Sequence, residues 1–252
     1  MMYSVVLCEG ITDQILISYY LENTLGYRYI NTDKYKKLLN VNIEGVKGNW
    51  YKDNDDNALL MIAVNGSDFS LALKRLFKYN SNVTKNEMFR KICVITDNDD
   101  KYAVKRITQI QSVVDGCTDA RIVLQPVVWN NIEMKSGFGE AAEISILFLL
   151  QPEDGYGNIE TFILDMISEA NREDKEVIIK AKEFIKSVAS EKYLVTRGDK
   201  NKGELAAFFA VVSPRRVFSK IDDLLKEIPW DRYKKYNKQY NELGEISKDT
   251  IH

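Results

Sequence analysis

The 252-residue chain balances 35 Lys/Arg against 37 Asp/Glu, a net charge of −2, so no global basic field announces nucleic-acid binding from composition alone. An apolar content of 45% with only four prolines excludes long disordered linkers and suits one large α/β domain, or a domain with an extension. The single histidine, His252, is the last residue, which excludes a Ser-His-Asp triad, a His-paired cysteine and a His-ligated zinc.

In chain order, residues 3–8 form a β-branched apolar run that reads as a strand. Residues 12–25 follow as a helix, with Ile15, Leu16, Tyr19, Tyr20 and Leu25 close to one stripe. The run at 58–64 reads as a second buried strand, after which Ser67 or Asp68 can cap a helix carrying Phe69, Leu73 and Leu76. Residues 91–96 are a third strand, followed by a helix through AVKRITQIQSVV. RIVLQPVVW at 121–129 is expected as a fourth, with Pro126 favouring an edge or strand end. Residues 142–151 fit a further strand or a buried helix equally well. Beyond Gly157 the pattern is helical over 158–170, 173–190, 202–212, 214–227 and 230–243, with Ser213 as a cap and Pro214 opening the fourth of these.

Strands apolar on both faces, alternating with helices, predict an α/β fold: a mostly parallel, Rossmann-like sheet flanked by helices, with a helical C-terminal extension. The core is placed at 1–130 and the extension at 131–252. Cys8, Cys93 and Cys117 show no metal-ligand spacing, and the first two sit in apolar runs, as free thiols of a reducing compartment do. With no signal peptide in view and no apolar run long enough to span a bilayer, a cytoplasmic protein without membrane contact is expected.

The chemistry-bearing residues are acidic. Glu9 ends the first strand and Asp97 and Asp99 follow the third, on the edge where open parallel sheets bind ligands. Asp13 falls in the first helical turn, Gly10 allows a tight turn, and Thr12 can cap the helix. If the first and third strands are neighbours, four carboxylates converge and need a counter-charge. With oxygen ligands only, that is Mg²⁺, Mn²⁺ or Ca²⁺, which points to phosphoryl chemistry. A solvated loop is the bland reading of such turns, and it is the one given to the second DNDD, Asp53 to Asp56.

VVLCEGITD, IAVNGSD and VITDNDD, in that order, resemble the Toprim domain of topoisomerases, bacterial primases and overcoming-lysogenization-defect (OLD) nucleases. That family pattern falls on Glu9-Gly10, Gly66 and Asp97-Asn98-Asp99, within about the first 100 residues. The resemblance, closest to stand-alone proteins like the OLD-type nucleases, implies a Mg²⁺- or Mn²⁺-dependent nuclease using one or two ions. Glu9, Asp97 and Asp99 would hold one ion, and Asp13 with Glu160, in GYGNIETFIL, would help hold a second. Lys202, in NKGELAAFFA, would neutralise charge on the phosphate. The chain has no P-loop, no zinc-binding cysteines and no topoisomerase tyrosine domain.

DNA or RNA would then be the partner, with a homodimer and a separate ATPase or defence-complex protein as the protein partners in view. The competing class is a non-catalytic metal-, nucleotide- or nucleic-acid-binding module. Glu160 and Lys202 each have an ordinary structural explanation, a favoured carboxylate in a first helical turn and an exposed lysine. The tyrosines of DRYKKYNKQYNE, and Trp230 before them, are read as core cover rather than a nucleic-acid groove.

Overall fold

A computed structural model describes residues 1–30, 48–65, 68–98, 103–118, 122–188, 192–216 and 218–248. The first apolar run forms β1 (Tyr3–Cys8), with every residue buried. It pairs in parallel with β4 (Ala58–Ala63) on one side and β5 (Phe89–Asp97) on the other. With β2 (Arg28–Ile30), β3 (Gly48–Lys52), β6 (Trp129–Lys135) and β7 (Ala141–Gln151), the order is β2-β3-β4-β1-β5-β7-β6. The central block β4-β1-β5-β7 is parallel, while β3 and β6 run antiparallel to it. The sheet is thus mostly parallel, and the α/β expectation holds.

The double-sided apolarity has a direct cause. Val6, Cys8, Met61, Cys93, Ile95, Leu147 and Leu149 face one core, and their neighbours Val5, Leu7, Leu60, Ile92, Val94, Ile146 and Phe148 face another. Alternate strand residues point to opposite faces, so a sheet covered twice needs both sets apolar. The second core is closed by α2 (Ser70–Asn80) and α3 (Ala103–Cys117), through Leu73, Leu76, Ile110 and Val114. The first is closed by α1 (Ile11–Asn23), α4 (Ile159–Ala170), α5 (Arg172–Val188) and α6 (Arg197–Val212). It is completed by α7 (Ile221–Leu225) and α8 (Lys234–Tyr240). Trp230, Tyr236 and Tyr240 are fully buried there, as core cover requires. The Tyr236 hydroxyl donates to the Leu16 carbonyl (2.5 Å) and the Tyr240 hydroxyl to Gln151 Oε1 (2.7 Å). Each ring thereby buries apolar area without stranding its polar end.

Several expectations change. No strand occupies the described part of 121–129. Pro126 lacks an N–H, and Val127 adopts a left-handed φ of 63°, its N–H bonding the Phe148 carbonyl at 2.8 Å, so the chain turns there. The strand begins at Trp129 instead and forms an antiparallel pair with β7. Residues 141–151 resolve as that strand, inserted beside β5, so the sheet runs on past residue 130 to Gln151. Strands β2 and β3 were not legible: they are short and lie at the edge.

The helix expected at 202–212 starts at Arg197, where Thr196 and Asp199 cap each other's backbone N–H groups. Ser213 ends α6, its N–H bonding Phe209, rather than opening a helix. Pro214–Arg216 makes only a 3₁₀ turn. The stretches 214–227 and 230–243 therefore break into short pieces rather than two continuous helices. Among the described residues, no helix is long and apolar enough to cross a membrane.

Candidate functional site

Because β1 and β5 are parallel neighbours, Glu9 and Asp97 reach the same edge of the sheet. Glu9 turns inward: its Oε1 accepts from Thr96 Oγ1 and from the Asp97 N–H (3.0 Å), and it pairs with Arg106 Nη1 at 2.8 Å. Arg106 also donates through Nη1 to the Asp97 carbonyl (2.8 Å). Its side chain is 8% exposed and that of Glu9 17%, so this is a largely desolvated ion pair clamping the ends of β1 and β5.

Asp13 sits at the start of α1 and is 4% exposed. Its Oδ2 accepts the Gly10 N–H at 2.9 Å. The cap residue is Gly10, and Thr12 lies inside the helix, so the expected Thr12 cap is replaced by the Asp13 carboxylate. Nor does the turn demand glycine: Gly10 has an extended φ of −145°, and a Cβ there would meet nothing nearer than 3.6 Å. Burial raises the Asp13 carboxyl from 3.8 to about 7, the Gly10 N–H opposes the rise, and Glu9 and then Glu160 add to it. Three carboxylates from β1, α1 and α4 therefore act on one buried space.

Glu160 arrives through β7. The Asn98 N–H bonds the Gln151 carbonyl (2.7 Å), and its Nδ2 donates to the carbonyls of Pro152 (3.1 Å) and Gly155 (2.7 Å). The Gly157 N–H returns to the Asn98 carbonyl at 3.1 Å. A Cβ on Gly157 would stand 2.9 Å from Thr161 Cβ, so glycine is needed for this close approach. The bonds carry the N-terminus of α4 to the end of β5, where Asp97 Oδ1 accepts the Ile159 N–H at 3.1 Å. Carboxylates at this position suit the helix dipole, and Asn158 caps the same turn through the Thr161 N–H. Asn201 Nδ2 donates to Asn158 Oδ1 (2.9 Å) and brings the start of α6 alongside.

Glu9, Asp13, Asp97 and Glu160 thus gather at one edge. Lys202 is exposed on α6, and its charge is felt by Asp199; among the described residues it contacts none of the four carboxylates. Asp99 and Gly66 lie outside the described residues. The donor set, oxygen only, suits a hard cation, and the crowding around Asp13 is negative charge such an ion would relieve. Among the described residues, however, no three His, Cys, Asp or Glu side chains stand close enough to share one ion.

Arg106 was missed in the sequence. Its signal is phase: it lies on the inward stripe of α3 with Ile110, Val113 and Val114, and a charge on such a stripe demands a partner.

The family described as protein of unknown function (DUF3226) matches residues 3–220, most of the chain. No curated protein matches it. The crystal structure of hypothetical protein PH0156 from Pyrococcus horikoshii OT3 is similar over 98% of both chains, with a TM-score of 0.50 and 15% identity. That likeness concerns the fold alone.

Proposed function

We propose, from the premise that the chain belongs to the DUF3226 family, that it is a divalent-metal-dependent phosphodiester hydrolase acting on nucleic acid. The observation that carries the reading is the convergence of Glu9, Asp13 and Glu160 at the carboxyl edge of a parallel sheet, crowded enough to lift Asp13 to about 7. The Toprim-like order of Glu9-Gly10, Gly66 and Asp97-Asn98-Asp99 supports it independently. Glu9, Asp13, Asp97 and Asp99, with Glu160, would hold Mg²⁺ or Mn²⁺, which supplies an activated water and neutralises phosphate charge. Arg106 orients Glu9, the Ile159 N–H orients Asp97, and Asp13 can hold or release a proton near neutral pH. A cytoplasmic location and a separate protein partner accompany this reading.

The test is Mn²⁺-dependent nicking of supercoiled plasmid, with single-stranded DNA and RNA in parallel. Asp97→Ala is expected to lower cleavage by about 100-fold or more. Cleavage that survives Asp97→Ala, or no metal-dependent cleavage of any of the three substrates, overturns the proposal. One observation favours the second reading, a non-catalytic binding module: Glu9 already has a cation in Arg106. Metal binding by calorimetry without cleavage would select it.

A further inference from the structure

A groove of about 610 Å³ runs along α1, starting two residues beyond Glu9. Ile11, Gln14 and Ser18 line one side, and Tyr29, Asn49 and Tyr51 of the antiparallel edge line the other. The volume is ordinary for a small-molecule site. Gln14 is 5% exposed, yet its Nε2 has no acceptor among the described residues. Leaving such a donor unpaired costs about 1–3 kcal/mol, which calls for a reason. The nearby Tyr51 hydroxyl is committed to Ser18 Oγ at 2.7 Å. Tyr29 packs edge-on against Tyr51, ring centroids 5.8 Å apart, and remains 51% exposed.

An open aromatic ring beside a desolvated amide donor matches a planar heterocycle bearing a hydrogen-bond acceptor. We propose that this groove binds a nucleobase, stacked on Tyr29 and accepting a hydrogen bond from Gln14 Nε2. Stacking tolerates any base, and the amide selects an acceptor edge. Gln14 follows Asp13 directly, so a strand in the groove would have its backbone beside the acidic edge. The inference deepens the nuclease reading by naming the group recognised next to the phosphate, but base binding itself needs neither metal nor cleavage.

The test uses nucleosides, which lack phosphate, with EDTA present. Adenosine, guanosine, cytidine and uridine are titrated calorimetrically against the full chain. At least one is expected to bind with a Kd below about 1 mM. Tyr29→Ala, at an exposed position, and Gln14→Leu should each weaken it by about tenfold, equivalent to ~1.4 kcal/mol. Should Gln14→Leu not fold, Tyr29→Ala decides. No binding by any nucleoside, or binding indifferent to the folded variants, overturns the inference and leaves Gln14 a solvent-satisfied packing residue. Nucleoside binding without plasmid cleavage would sink the nuclease reading alone. Cleavage without nucleoside binding would sink this inference alone.

Discussion

The tetrapeptide Asp-Asn-Asp-Asp occurs twice, at 53–56 and at 97–100, and the two copies have different fates. The first follows β3 toward the antiparallel side of the sheet and closes a turn. Asp53 Oδ1 accepts the N–H groups of Asp55 (2.9 Å) and Asn57 (2.8 Å), while Asn54, Asp55 and Asp56 face solvent. The second follows β5, a central parallel strand. There Asn98 is 8% exposed and holds the loop after β7, and Asp97 receives the N-terminus of α4. The same letters make a hairpin turn in one place and a multi-element junction in the other. Strand position decides, because only the carboxyl ends of central parallel strands have helix N-termini and neighbouring loops delivered to them.

Three variants sharpen or break this contrast. The largest effect should come from Arg106→Leu, which leaves Glu9 beside the second copy without its cation. About 3–5 kcal/mol of stability should be lost in urea unfolding, and a loss below about 1 kcal/mol would mean the pair is solvated after all.

Asp13→Asn should give a smaller, pH-dependent effect. The folded carboxyl titrates near 7, above its value of 3.8 in the unfolded chain. Its contribution is therefore fully present below about pH 4 and is lost as pH rises to about 7, because the native state holds the extra proton. In metal-free buffer the variant should match the parent near pH 4 and exceed it by ~3 kcal/mol at pH 9. Parallel stability–pH curves for the two proteins would contradict the buried-carboxylate assignment.

The smallest effects come from paired asparagines. Asn98→Ala should cost about 2 kcal/mol by stranding buried carbonyls, whereas Asn54→Ala should stay within about 0.5 kcal/mol of the parent. Equal thermal shifts for the two would remove the distinction between the copies.

Local pattern reached far into this fold. The ends of β1, β4 and β5 and the presence of α1 to α4 follow from apolar runs and their periods, which are properties of short segments. Where Pro126 and Val127 turn the chain and β6 begins, the same runs misled, since an apolar stretch that packs as a loop looks like one that pairs. The helical C-terminal stretch broke into short pieces for the same reason: packing on the sheet around Trp230, Tyr236 and Tyr240, rather than helix propensity, decides those residues' shape.

Glu9, Asp13, Asp97 and Glu160 could each be named from neighbouring residues, because a carboxylate at a strand end or in a first helical turn is a local feature. Their meeting was not local. It required β1 beside β5, β7 beside β5, and Asn98 carrying α4 inward across sequence separations of more than 50 residues. The Arg106 clamp and the Gln14 groove belong wholly to that second level. Ion pairing, desolvation and an unmet donor depend on which surfaces fold against one another, and a linear chain does not carry that until the sheet order is known.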